Sequence, residues 1–225
     1  MANGVQFFYP DGEKINSDED FIQFYSRCYY LYNSSVAEKE IEELLQGNIN
    51  KASDVMRILE WKLGRIDHKS SQCERKTVYR HPDTMKNFKT KTRSGEINAK
   101  DLSKYISNKI DDLKEKKPAE IFSELVEQNV TNLGTVYLIT LVYFISNKCP
   151  IYDRFAHQAI VAIKNGSKPG EVVKISSLPS KRANNVFEKY SKEYVEPLKE
   201  VFKDNYMNRD VDRALWVYGH LFRES

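Results

Sequence analysis

The sequence predicts an all-α protein, and three observations carry that prediction. Apolar residues recur at helical spacing over most of the 225 residues. Only Val5–Tyr9 and Val172–Ile175 read as strands, and both are short. A composition of 40% hydrophobic and 12% aromatic residues is ample for a packed core at this length, which excludes a disordered tail. The expected architecture is one globular unit or two interleaved helical lobes, with no internal repeat.

From Asp18 to Tyr32, Phe21, Phe24, Tyr25, Cys28 and Leu31 define a first amphipathic helix, with Ser17 as N-cap and Asp20 three residues on. Val36 to Leu45 continues with Ile41, Leu44 and Leu45, and Gly47 closes it. A helix from about Ser53 to Leu63 buries Val55, Ile58, Leu59 and one side of Trp61, and stops at Gly64. Asp67 to Gly95 has no period and reads as a long loop or insertion. Leu102, Tyr105, Ile106, Ile110 and Leu113 mark the next helix. Pro118 opens another at its tolerated first-turn position, with Ile121, Phe122, Leu125 and Val126 inward.

Leu133 to Ile145 is apolar almost all round, as in a helix central to a domain. Pro150 interrupts the pattern and Asp153 opens a helix with Phe155, Ala156, Ala159, Ile160 and Ile163 inward. Gly166 and Gly170 mark a loop. Val186, Phe187, Tyr190, Tyr194, Leu198 and Phe202 line a long helix that Pro197 should bend or break near Val195. Val211, Leu215, Trp216 and Phe222 line the last one. By composition the chain divides into a helical region 1–66, a basic loop or insertion 67–96, and a helical region 97–225, the three forming an integrated unit.

Several function classes lose support at once. Cys28, Cys73 and Cys149 are scattered and odd in number, and the four histidines form no close ligand pair, so neither a disulfide framework nor a metal centre is expected. There is no GxGxxG, no GxxxxGK[ST], no GxSxG and no papain-type cysteine signature. No cofactor is implied. No apolar run reaches the roughly 18–20 residues that span a bilayer, and the N-terminal residues carry no secretory pattern. The expectation is a cytoplasmic protein without a membrane partner.

The net charge of +3 is unevenly spread. Lys62 to Arg93 holds ten Lys/Arg against three acids, a net of +7 that leaves −4 for the remainder. Such segregation points to a polyanionic partner, although a solvated loop has the same composition. Arg75, Lys76, Arg80, Lys86, Lys89, Lys91 and Arg93 are the candidate phosphate contacts. Tyr79, His81 and Phe88 interleave with them, as in segments that lie along nucleic acid.

The segment NLGTVYLITLVYFISNKCPIYDRFAHQAI, Asn132 to Ile160, combines a glycine turn, a buried helix, a proline break and an aspartate at a helix mouth. An aspartate there caps backbone N–H groups, and the helix dipole favours its charge. The same conditions hold a catalytic carboxylate ionised and aimed. This arrangement resembles the helix-hairpin-helix DNA glycosylase superfamily, in particular its divergent 8-oxoguanine-glycosylase-like group. Gly134 stands nineteen residues before Asp153, PIYDRFAHQAI (150–160) takes the place of the family's aspartate element, and NRDVDRALWVYG (208–219) looks like the closing helix. The resemblance covers roughly residues 118 to 222.

What it implies is base excision from DNA, duplex and damaged, with the target base flipped out of the stack. Asp153 would stabilise the positive charge that develops on the sugar or orient an attacking water. The turn carrying Gly134 and Thr135 would offer N–H groups to a phosphate, with Lys148 and Arg154 beside the aspartate as further phosphate contacts. The pattern departs from the family in two places. Asn132 replaces the hairpin's other glycine, and no lysine occurs between Val130 and Asn147 to form a Schiff base with the sugar. The expectation is therefore a monofunctional glycosylase without lyase activity. The alternative is a non-catalytic scaffold that binds a protein through its tyrosine-rich N-terminal helices, or a nucleic-acid-binding regulator. His157, one turn beyond Asp153, reads as its helical neighbour or as a core imidazole. Trp61 and Trp216 read as core. Asp212 and Arg213 suggest a salt bridge toward the Asp153 helix. At least one of Tyr29, Tyr30 and Tyr32 must be exposed.

Overall fold

A computed structural model describes residues 4–33, 35–45, 49–69, 75–79, 99–128, 133–180 and 182–223, with the main chain alone for Val36, Leu45 and residues 65–69, 75–79 and 99–100. The protein is mostly helical. In chain order, β1 (Phe7–Phe8) and β2 (Lys14–Ile15) precede α1 (Asp18–Tyr29), α2 (Ser35–Leu45) and α3 (Ala52–Lys62). Strands β3 (Arg65–Lys69) and β4 (Arg75–Tyr79) follow, then α4 (Ala99–Asn108), α5 (Ile110–Glu115), α6 (Pro118–Glu127), α7 (Thr135–Ser146) and α8 (Arg154–Asn165). The C-terminal part holds α9 (Val186–Tyr190), a π-helical turn (Ser191–Val195), α10 (Glu196–Phe202), a 3-10 turn (Lys203–Met207) and α11 (Arg209–Gly219).

Two compact units result, and neither follows the division at 66/67 and 96/97. One comprises Met1–Tyr32, Pro150–Pro179 and Ala183–Ser225, the other Asn33–Cys149 and Ser180–Arg182. The first is discontinuous because α1 packs against α11. Its cohesion is aromatic: the Tyr218 ring of α11 meets Phe21 edge-on at 5.2 Å and Tyr25 at 5.1 Å. The Tyr25 hydroxyl donates to the Phe8 carbonyl at 2.8 Å, tying β1 to α1. Ser17 caps α1 by accepting from the Asp20 N–H at 3.1 Å, as the sequence predicts. The helix ends at Tyr29 rather than Tyr32, and Tyr30, Leu31 and Tyr32 follow it as exposed residues.

In the second unit α7 is the central helix, with nine of its twelve residues buried, and α3, α5 and α6 pack on it. Trp61 meets Phe144 edge-on at 5.9 Å, while its indole N–H donates to the buried Glu38 carboxylate at 2.6 Å. The Asp54 carboxylate accepts from the N–H groups of Asn50 and Lys51 and so fixes the start of α3.

Three elements differ from their sequence reading. The segment read as a loop from Asp67 contains most of an antiparallel ribbon, in which β3 pairs with β4. Its strands RIDHK and RKTVY lack the alternation that announces a half-buried strand. The helix read across Leu102–Leu113 breaks at Lys109, whose N–H is shared between the carbonyls of Tyr105 and Ile106. Val172–Ile175 contributes only a single bridge, Val172 to Arg223.

Pro197 acts differently from a simple break. It has no N–H to give to the Glu193 carbonyl four residues back. The helix instead widens ahead of it, and the Glu196 N–H reaches the Ser191 carbonyl five residues back, a π-type bond.

Candidate functional site

Asp153 is the N-cap of α8. Its backbone is extended (φ −136°, ψ 144°) and its carboxylate accepts from the Phe155 N–H at 2.9 Å. The side chain is half-buried at the head of a twelve-residue helix, so the positive end of the helix dipole stands beside it.

The last helix pins this turn. A Cβ placed on Gly219 would stand 2.0 Å from the Phe155 carbonyl oxygen and 2.5 Å from its carbon, so only glycine lets α11 approach so closely. The next residue, His220, stacks its ring on Phe155 with centroids 3.6 Å apart and planes 22° from parallel. Trp216 is half-buried between Tyr29, at 5.4 Å, and His220, at 4.2 Å. Asp212 finds its cation on its own helix, where Arg209 binds it; Arg213 reaches Asp210 at 2.9 Å.

Behind Asp153 lies a buried group of titratable rings. His157 is 2% exposed, and its Nδ1 lies 3.1 Å from the Tyr152 hydroxyl. Tyr194, from the π-helical turn, meets Tyr152 edge-on at 5.2 Å and His157 at 5.8 Å. The Tyr190 hydroxyl donates to the Pro150 carbonyl, which fixes the chain just before the cap. Burial lowers the His157 pKa from its ordinary 6.5, against an opposing pull from the charge and main-chain carbonyl of Glu193. Burial also raises the Tyr152 and Tyr194 hydroxyls, with the Asp153 charge adding to both. His157 is thus a core imidazole whose partner is Tyr152. Its residue type was legible, but Tyr194 and Glu193 lie more than thirty residues away in sequence and no spacing rule connects them.

The other candidates are distributed between the units. Arg154 is exposed beside Asp153 in the first unit, while Gly134, Thr135 and Lys148 belong to the second. Gly134 is the N-cap of α7 (φ −73°, ψ 166°), a conformation open to any residue, and Thr135 is buried as the first residue of that helix. Lys148 donates through Nζ to the Lys114 carbonyl at 2.9 Å, which gives it a structural task in the second unit. Arg75 and Lys76 sit on β4, in register with Lys69 and His68 of β3. Arg80, Lys86, Lys89, Lys91 and Arg93 lie outside the described residues, as do His81, Phe88 and Cys73.

A second polar group, which the sequence reading missed, sits in the second unit. Glu124 accepts from the Tyr105 hydroxyl at 2.6 Å and from Lys116 Nζ. These bonds lower the Glu124 carboxyl below its ordinary value, and burial together with Glu124 pushes the Tyr105 hydroxyl up to about 12. The three residues line an open cavity of about 720 Å³. A cavity of about 690 Å³ lies against α1 and another of about 330 Å³ beside β1 and β2, and Asp153 lines none of the three. Among the described residues no cluster of His, Cys, Asp and Glu could hold a metal ion, and no helix is long and apolar enough to cross a membrane. A scan against protein-family models, a search of curated proteins and a search of solved structures each find no match.

Proposed function

We propose that the protein binds DNA in the manner of a helix-hairpin-helix glycosylase and hydrolyses the N-glycosidic bond of a flipped base, with Asp153 as the catalytic carboxylate. The observation that carries this reading is the placement of Asp153: half-buried, at the mouth of α8, and bonded to the Phe155 N–H. A carboxylate so held cannot swing away as charge develops, which is the preorganisation that electrostatic catalysis needs. The C1′–base bond would break with its electron pair leaving on the base, Asp153 would stabilise the cationic sugar, and water would then add to C1′, its proton passing to the released base. Affinity independent of sequence would come from the basic segment that includes Arg75 and Lys76. Without a Schiff-base lysine the sugar–phosphate strand is left intact.

A non-catalytic scaffold is the second reading. What favours it is the same hydrogen bond, because capping alone accounts for an aspartate at this place.

The experiment is binding to a duplex carrying an abasic-site analogue at low and moderate salt, followed by a base-release assay on a panel of damaged duplexes with Asp153→Asn as comparison. Lesion-preferring, salt-sensitive binding with release lost in Asp153→Asn supports the glycosylase. Binding without lesion preference leaves a regulator. No binding at low salt removes both and leaves a scaffold with a protein partner.

A further inference from the structure

We propose that His157 is a positioning residue for Asp153: joined to the Tyr152 hydroxyl and packed against the Tyr194 ring, it holds the chain entering α8 so that the extended Asp153 backbone aims the carboxylate. The inference rests on the reading of Asp153 given above. Its first support is local geometry. Tyr152 precedes the cap and His157 lies one turn into α8, so their 3.1 Å contact staples the incoming chain across the helix start. The main chain adds a parallel tie, the His157 N–H to the Asp153 carbonyl at 2.9 Å.

The second support comes from the π-helical turn. Pro197 withholds the N–H that would otherwise occupy the Glu193 carbonyl, and the widened turn that results brings the Tyr194 ring to 5.8 Å from His157. With Nδ1 accepting from the Tyr152 hydroxyl, the ring proton is assigned to Nε2. A π-turn inserted in a helix is a deviation seen often at functional sites, and here it sets a tyrosine ring against the first turn of α8. The charged and titratable groups facing His157 are Glu193 and Lys189 from the α9–π segment, with the hydroxyls of Tyr152 and Tyr194. Protonation would put a second donor at Nδ1, reverse the Tyr152 bond and place a charge in a site that excludes water. The staple is therefore intact when His157 is neutral and weakened when it is charged.

The test compares the full-length protein with His157→Leu, Tyr152→Phe and His157→Gln. Amide exchange at Phe155, the donor in the Asp153 cap, is read by NMR against that of Ile163 on the same helix. His157→Leu and Tyr152→Phe should speed exchange at Phe155 by about fivefold relative to Ile163, the loss expected for one hydrogen bond. His157→Gln, which keeps a donor and an acceptor without titrating, should restore protection and remove its decline below pH 6.5. In the base-release assay His157→Leu should lower kcat with little change in KM, and His157→Gln should rescue it. Exchange at Phe155 that rises no more than at Ile163 in both Leu and Phe variants overturns the inference, even if base release is observed. Selective exchange at Phe155 in a protein that releases no base upholds the staple and overturns the glycosylase reading instead.

Discussion

Gly219 and Phe155 meet so closely that no side chain fits between them: a methyl group on Gly219 would lie 2.0 Å from the Phe155 carbonyl oxygen. The neighbour is backbone, at the first turn of α8, and it cannot rotate out of the way. The contact fixes the last helix against the turn that carries Asp153.

Gly219→Ala should therefore destabilise the protein by about 3 kcal/mol, at the upper end of overpacking costs, although alanine is the better helix former. Urea unfolding followed by circular dichroism measures this. A variant as stable as the parent would mean that α11 slides freely over α8.

Replacing Asp153 separates its two duties. Asp153→Ala should cost about 1 kcal/mol through loss of the cap, whereas Asp153→Asn should leave stability nearly unchanged, because asparagine caps equally well. Under the proposed function both variants lose base release. Retention of release in Asp153→Asn would assign the aspartate to capping alone.

Stability should also depend on His157. Its pKa is lowered in the folded state by burial, so the unfolded chain binds the extra proton first. The stability that the neutral ring contributes is complete above the ordinary value of 6.5 and is lost as pH falls from there toward the lowered folded value. Denaturation midpoints collected from pH 8 downward should decline in this window, and His157→Gln should flatten that part of the profile. An identical decline in His157→Gln would place the responsible group elsewhere.

Under the proposed function, binding to duplex DNA should weaken linearly on a log–log plot against salt, with a slope of about −0.9 per phosphate neutralised. Changing Arg75 and Lys76 to Gln should make the slope shallower by up to about 2. The same should hold for substitutions at Arg80, Lys86, Lys89, Lys91 and Arg93. A slope unmoved by all of these would detach the basic segment from the binding face.

Much of the helical architecture was legible because it rests on local rules. Ser17 and Asp20 announced the start of α1, the all-round apolar run announced α7, and Asp153 announced the cap of α8, each within a few residues of sequence. The ribbon of β3 and β4 was not, since RIDHK and RKTVY carry neither clear alternation nor a tight-turn dipeptide. Pro197 was visible as a disturbance, but not that the helix would widen rather than break. Nor was the approach of Tyr194 to His157 visible, which depends on a packing of α8 and α10 that no spacing encodes. The close pass of Gly219 was equally hidden, because a glycine ending a helix looks the same whether it caps or clears a path.

The three-segment make-up of the first unit sets an order of assembly. Residues 33–149 supply nearly all of the second unit from one continuous stretch, so its helices can find each other while the chain is still being synthesised. Helix α1 is made earlier yet cannot bury Phe21 and Tyr25 against Tyr218 until α11 has emerged, almost two hundred residues later. Closing so long a loop costs only slightly more entropy than closing a short one, but it delays the contact. The aromatic face of α1 thus waits in solvent for most of synthesis, and that interval is when the nascent chain is most open to aggregation or to a chaperone.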